Sequence, residues 1–279
     1  MKPDFIGLGG GRSGTNWLST CLFEHPQVCV PTSEVHFFSR ERNWSRGYEW
    51  YESLFAGCPP EKKKGELSAS YLSGTSTPER IKWRYPNVKL IASLRNPVER
   101  AFSEYLNERS VGLIDQSLSF AEAVKLRSGY ISGGRHAVNL KRYFKVFPRE
   151  QILVINFDDI AGKSAETIQR VFEFIGVDRN FSPSVVNQKV NRALHPRFVR
   201  LNLIFARLSG FFNQPGLRRL WWLIRRTGLT NVLLKANAAA EKTRPRLEDK
   251  DRKNLYQIFR EDIIELEQLL GWKLLSWHL

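Results

Sequence analysis

Apolar positions along the chain alternate between short continuous runs and longer stretches in which they recur every three to four residues. The first pattern reads as buried strands and the second as amphipathic helices. A strand is predicted over residues 4–9 and a helix over 14–24. "HPQVCVP" (25–31) reads as a turn and a short second strand. "VKLIASLRNP" (88–97) is a further apolar run, closed by Asn96-Pro97, with "VERAFSEYLNERS" as the helix behind it. "QILVINFDDI" (151–160) predicts another strand and "SAETIQRVFEFIGV" (164–177) an amphipathic helix. In "LEDKDRKNLYQIFREDIIELEQLLGW" (247–272), apolar residues at 255, 258, 259, 263, 266, 269 and 270 have helical spacing and predict a packed terminal helix. Strands alternating with helices imply an α/β fold, a central parallel sheet flanked by helices on both faces.

The length, 279 residues, suits one α/β domain spanning 1–279, and 42% hydrophobic residues supply a substantial core. Lys and Arg number 43 against 28 Asp and Glu, a formal net charge of +15. That excess favours an anionic partner without choosing among nucleic acid, membrane surface, polyanionic glycan and phosphorylated cofactor. The cysteines, Cys21, Cys29 and Cys58, are odd in number and match no zinc spacing; no disulfide is expected, and a reducing, cytoplasmic setting follows. The five scattered histidines suggest no metal site. Met1-Lys2-Pro3-Asp4 lacks the apolar centre of a signal peptide, and no uninterrupted apolar run reaches membrane-spanning length.

"FIGLGGGRSGTNWL" (5–18) runs a buried strand into a glycine-rich turn and then a helix. Such a turn exposes backbone N–H groups at the positive end of the helix, an arrangement suited to phosphate. Gly9, Gly14 and Thr15 follow the spacing of a P-loop, but the lysine is absent, and the cation, Arg12, lies within the loop. A guanidinium there can fork two oxygens of a phosphate or sulfate. A tight turn that needs glycine for positive φ would look the same.

"GRSGTNWL" resembles the 5′-phosphosulfate loop of sulfotransferases that use 3′-phosphoadenosine 5′-phosphosulfate (PAPS), and "LRNPVERAFSEYL" (94–106) resembles their 3′-phosphate segment. "SEVHFFSRERNWSRGYEWYESLF" (33–55) is similar to the heparan sulfate (glycan) type, in which the glutamate before Val-His-Phe-Phe is the proposed base. "GELSASYL" (65–72) resembles the family's Glu-Lys-Ser-Pro-x-Tyr strand-loop. The match covers about residues 4–180. It departs at Arg12, where the heparan enzymes carry lysine, and at Leu67, where many relatives have lysine. The membrane anchor and disulfide of those Golgi enzymes are not expected here, which suggests a bacterial relative.

The resemblance implies a P-loop-like, three-layer fold and PAPS as co-substrate without metal. It assigns the donor to Gly11, Arg12, Ser13, Gly14, Thr15, Asn16, Trp17, Arg95 and Ser103, with Lys189 and Arg192 from a later loop. Catalysis falls to Arg12 and Glu34, with His36 as second candidate base, and substrate contact to Phe37 and Tyr71. The implied acceptor is a hydroxyl or amine of a carbohydrate or glycolipid. Taken alone, each residue also has a plain reading: a strand-end carboxylate for Glu34, a core histidine for His36, a strand cap for Arg95, a buried helix serine for Ser103 and aromatic core for Phe37.

A nucleotide kinase or triphosphatase would want Gly-Lys-Ser/Thr and an early magnesium-binding aspartate, whereas Asp158-Asp159 comes late. A catalytically inactive glycan-binding relative would not need Arg12, Glu34, Arg95 and Ser103 together. No nucleic-acid reading motif is present, so no nucleic-acid partner is expected. Residues 179–240 hold eleven basic residues and no acidic one. "QPGLRRLWWLIRRTG" (214–228) there reads as a basic amphipathic helix within an insertion at about 197–240. It is expected either to pack on the catalytic domain or to dock on an anionic membrane surface, placing the enzyme at the inner membrane face.

Overall fold

The computed structural model describes residues 1–31, 34–187 and 245–279. They belong to two compact units, one within Met1–Ala101, Gly129–Val190 and Lys253–Leu279 and the other within Phe102–Ser128 and Asn191–Arg252. In chain order the elements are β1 (Phe5–Gly9), α1 (Thr15–Glu24), β2 (Val28–Cys29), α2 (Glu41–Trp44), α3 (Gly47–Ser53), β3 (Lys63–Leu67), α4 (Thr77–Arg84) and β4 (Lys89–Leu94). Then come α5 (Pro97–Ser110), α6 (Phe120–Leu126), α7 (Gly129–Ser132), α8 (His136–Phe144), β5 (Ile152–Asn156), α9 (Phe157–Gly162), α10 (Ser164–Ile175) and α11 (Asp249–Leu270).

The five strands form one sheet in the order β2-β3-β1-β4-β5, every pair parallel. Phe5 aligns with Gly65 on one side and Lys89 on the other, so β1 is central. A parallel sheet covered on both faces needs continuous apolar strands, and β1 is buried at all five positions. Against it pack Trp17, Leu18, Cys21 and Leu22 from α1 and Ile168, Val171, Phe172 and Ile175 from α10. The expected α/β fold with a parallel sheet is the observed one.

Three local details differ from expectation. The strand of 151–160 stops at Asn156, whose side-chain oxygen accepts from the Asp158 N–H at 3.2 Å and caps α9. Strand β3, "KKGEL", shows no apolar run, yet Lys64 and Glu66 are buried in it and partnered by polar groups. Finally, Cys29 and Cys58 form a disulfide, with Cα atoms 5.9 Å apart. An odd cysteine count does not prevent pairing when the fold brings two together and buries the third, Cys21. The expectation of no disulfide was wrong, and the argument for a reducing compartment loses its premise.

Candidate active site

The site lies at the carboxyl ends of β1, β3 and β4, where parallel α/β sheets hold ligands. The chain leaves β1 through Gly9 and Gly10 at φ 68° and 151° and enters α1 through Gly14 at φ 85°. Gly14 gives α1 no side-chain cap. The first-turn N–H groups are thus available to an anion at the positive end of the helix. Ser13 is fully buried, and its Oγ has no hydrogen-bond partner among the described residues. An orphaned donor inside a glycine-rich turn fits an anionic ligand. From the end of β4, the Ser93 hydroxyl donates to the Ser13 carbonyl. Arg95 Nη1 donates to the Arg12 carbonyl at 3.1 Å, and His136 Nε2 lies 2.9 Å from the Arg95 carbonyl. Burial pulls the His136 ring down to about 4, with the Arg100 charge adding to this against the Arg95 hydrogen bond. A neutral His136 therefore donates from Nε2 and fixes the Arg95 backbone.

Glu34 and His36 sit on the segment after β2. Among the described residues, three non-glycines have positive φ: Arg12 at 70°, Glu34 at 56° and His36 at 53°. Each costs about 1 kcal/mol or more and persists only where its surroundings impose it, a feature that clusters at active sites. Here the end of β3 imposes it. The Glu34 N–H donates to the Leu67 carbonyl at 2.8 Å, and the His36 N–H donates to Ser68 Oγ at 2.9 Å. The Glu34 Oε2 accepts from the Ala69 N–H at 3.0 Å and lies 3.1 Å from His36 Nε2. Partial burial pushes the Glu34 carboxyl up, but the hydrogen bonds from His36 and the Ala69 N–H, together with the Arg40 charge, outweigh it, leaving the carboxyl below its usual range. Glu34 is thus a carboxylate at neutral pH, with both contacts on one oxygen.

Beneath it lies a second carboxyl. Glu66 is fully buried and accepts from Ser68 Oγ at 2.8 Å and Tyr51 Oη at 3.3 Å. Burial lifts it to about 7 despite hydrogen bonds from Tyr71, Ser68 and Tyr51, and the nearby Glu34 charge adds to the rise. At mildly acidic pH the two carboxyl groups therefore sit in opposite states, Glu34 ionised and Glu66 still holding its proton.

Residues 2–195 match the model of the sulfotransferase domain family. The chain belongs to the sulfotransferase family. It is 26% identical over 220 residues to human heparan sulfate glucosamine 3-O-sulfotransferase 5, covering 75% of this chain and 59% of that protein. It is 31% identical over 183 residues to human heparan sulfate glucosamine 3-O-sulfotransferase 6, covering 63% and 53%. The chain thus spans a little over half the length of these curated relatives. Among solved structures it resembles a sulfotransferase from Alicyclobacillus acidocaldarius, with TM-score 0.72, 26% identity and 99% of each chain covered. Mouse sulfotransferase SULT7A1, complexed with PAP, shares the fold at TM-score 0.53 and 15% identity over 94% of this chain and 84% of that one.

Within this member of the family, the loop from Gly11 to Asn16, the end of β4 at Arg95 and the pair Glu34–His36 gather around the carboxyl end of β1. Ser103 lies on α5 in the other compact unit. Lys189, Arg192 and the basic stretch 197–240 lie outside the described residues. Three of the nominated side chains are buried. Trp17 is buried in the core with Leu18 and Phe172 and donates from Nε1 to the Val186 carbonyl at 3.3 Å, so its indole is not part of the donor site. Phe37 and Tyr71 are fully buried. Phe37 stacks on Tyr51 at 4.7 Å, and its N–H donates to Tyr71 Oη at 2.8 Å. Those two side chains brace the loop that carries Glu34. Sequence reading missed Ser93, His136, Glu66, Ser68 and Ser70. Glu66, Ser68 and Ser70 lie in the strand-loop "GELSASYL", which the family resemblance marked without giving these residues a role.

Proposed function

We propose that the chain transfers a sulfuryl group from PAPS to a hydroxyl or amine of a carbohydrate acceptor. The observation that carries this reading is the Glu34 carboxylate, with Oε2 held by Ala69 and His36, standing beside an uncapped helix N-terminus and a buried, partnerless Ser13 Oγ. The first feature is a base and the second an anion cradle, and in-line transfer needs both. The relatives named for heparan sulfate glucosamine support a glycan acceptor.

The chemistry follows from position. The backbone N–H groups of Gly14 to Asn16, the Ser13 hydroxyl and the Arg12 guanidinium would take up charge growing on the leaving 5′-phosphate as the S–O bond breaks, while the Ser13 N–H holds the turn through the Gly10 carbonyl. Arg95 would read the 3′-phosphate. Glu34 would accept the proton lost by the acceptor as its oxygen or nitrogen bonds to sulfur. Contacts on Glu34 fall on Oε2, so Oε1, which has no partner among the described residues, is the oxygen that would receive it. His36 Nε2 faces a carboxylate and must donate, which favours Glu34 over His36 as base.

The test is incubation with labelled PAPS and a panel of glycans and glycolipids, followed by mass spectrometry of the product. Calorimetry with adenosine 3′,5′-bisphosphate and ATP runs in parallel. Tight bisphosphate binding and a sulfated glycan support the reading. ATP bound as tightly as the bisphosphate, with no sulfated product, rejects it.

A further inference from the structure

Behind His36 runs a chain of hydroxyls that the reaction above does not use. His36 Nδ1 lies 2.6 Å from Ser70 Oγ, and Ser70 Oγ lies 2.6 Å from Ser39 Oγ. Ser39 follows Phe38 on the His36 loop, and Ser70 follows β3, so the chain ties two separate segments together.

With His36 as a neutral imidazole, the Glu34 carboxylate fixes the direction of every proton in this chain. Glu34 is ionised and can only accept, so His36 Nε2 carries a hydrogen. In a neutral imidazole Nδ1 is then a bare acceptor. Ser70 must donate to it, and Ser39 must donate to Ser70. The order is Ser39 O–H to Ser70 O–H to Nδ1, then Nε2–H to Glu34 Oε2. The Ala69 N–H closes on the same Oε2 at 3.0 Å.

We propose that Ser70 and Ser39 are positioning residues that lock His36 as its Nε2–H tautomer and thereby turn the Glu34 carboxylate so that Oε1 is its basic oxygen. The proposal rests on the reading of Glu34 as the base. The charged groups around His36 are compatible with this order: Glu34 and Arg40 on its own loop, and beneath them Glu66 at the end of β3, which reaches His36 through Ser68 and its backbone N–H. The His36 backbone is thus held by Ser68 and its ring by Ser70, two residues further along the same turn. Without Ser70, Nδ1 has no donor, both tautomers become accessible, and an Nδ1–H ring presents Glu34 Oε2 with a lone pair instead of a hydrogen.

The decisive measurement is nitrogen NMR of the full chain with labelled histidine. His36 is expected as the Nε2–H tautomer in the wild type and as a mixture in Ser70→Ala, with Ser70→Thr restoring the wild-type pattern. Ser39→Ala is the second variant, expected to broaden the same signals to a smaller degree, and thermal melts check that each variant folds. An Nδ1–H tautomer in the wild type, or an unchanged tautomer in Ser70→Ala, overturns the proposal. Transfer from PAPS to a heparan sulfate oligosaccharide supplies the second readout. Misplacing a reacting group costs roughly 10- to 100-fold, so Ser70→Ala should lose about that in kcat with the KM for PAPS unchanged. Equal kcat in Ser70→Ala and wild type also overturns it. A wild type that shows the Nε2–H tautomer, changes it in Ser70→Ala, but sulfates no glycan and binds no bisphosphate supports the lock and removes the sulfuryl-transfer reading instead.

Discussion

A Cβ on Gly9 would stand 2.4 Å from the Cα of Ala69. Gly9 opens the anion loop, and the Ala69 N–H holds Glu34 Oε2 at 3.0 Å. One backbone contact therefore joins the segment that binds the donor to the segment that holds the base. Gly9 also has φ 68°, a conformation that an L side chain adopts only at a cost. Gly9→Ala should destabilise the protein by roughly 2–4 kcal/mol from strain and overpacking. Urea unfolding measures the first effect. Bisphosphate binding and glycan transfer should both fall, since neither side of the contact can move alone.

Glu34→Gln should lower kcat by about 10²–10⁴-fold, the usual contribution of a positioned base, while leaving bisphosphate affinity unchanged. Glutamine keeps the shape and can still accept from Ala69, but it cannot take a proton. Because the Glu34 carboxyl is held below its ordinary range, the base form survives mild acid. The acidic limb of the kcat profile should therefore fall below the ordinary carboxylate value of 4.5. A rate already lost between pH 5 and 6 would assign the base elsewhere.

Glu66 makes the opposite pH prediction. Its folded value, about 7, lies above the ordinary 4.5 because burial disfavours the charge. Between these two values the unfolded chain has released a proton that the folded chain still holds. Stability from this group is therefore greatest below about 4.5 and declines as pH rises toward 7, with a slope of at most about 1.4 kcal/mol per pH unit. Denaturant unfolding across that range should show the decline, and Glu66→Gln should flatten it.

The disulfide closes residues 29–58, the stretch that carries Glu34 and His36. Cross-linking a loop of that length stabilises by roughly 3–4 kcal/mol through the unfolded chain. Cys29→Ser/Cys58→Ser should lose about that much in urea unfolding. Thiol titration of the denatured wild type should find Cys21 alone without reductant and all three cysteines with it.

The pattern of apolar residues by itself determined β1, α1, β4, β5, α10 and the terminal helix, because each is a period written into neighbouring residues. The loop from Gly11 to Asn16 was legible for the same reason: its glycines act on their own backbone. Glu34, His36 and Arg95 were nominated by short local motifs, and the fold brings them to one end of the sheet. Strand β3 was hidden from the apolar pattern because Lys64 and Glu66 interrupt it, and their burial is offset by polar partners, the Pro60 and Lys62 carbonyls for Lys64 and the Ser68 and Tyr51 hydroxyls for Glu66. Only tertiary structure could pair Cys29 with Cys58, or turn Trp17, Phe37 and Tyr71 into packing when their chemistry equally suits ligand contact. It alone raised Glu66 to about 7 while holding Glu34 below its usual range, since a carboxyl's charge depends on the water and donors around it. The order of protons through Ser39, Ser70 and His36 was likewise unwritten in the sequence: hydroxyls 31 residues apart acquire a direction only when the fold sets them within hydrogen-bonding distance.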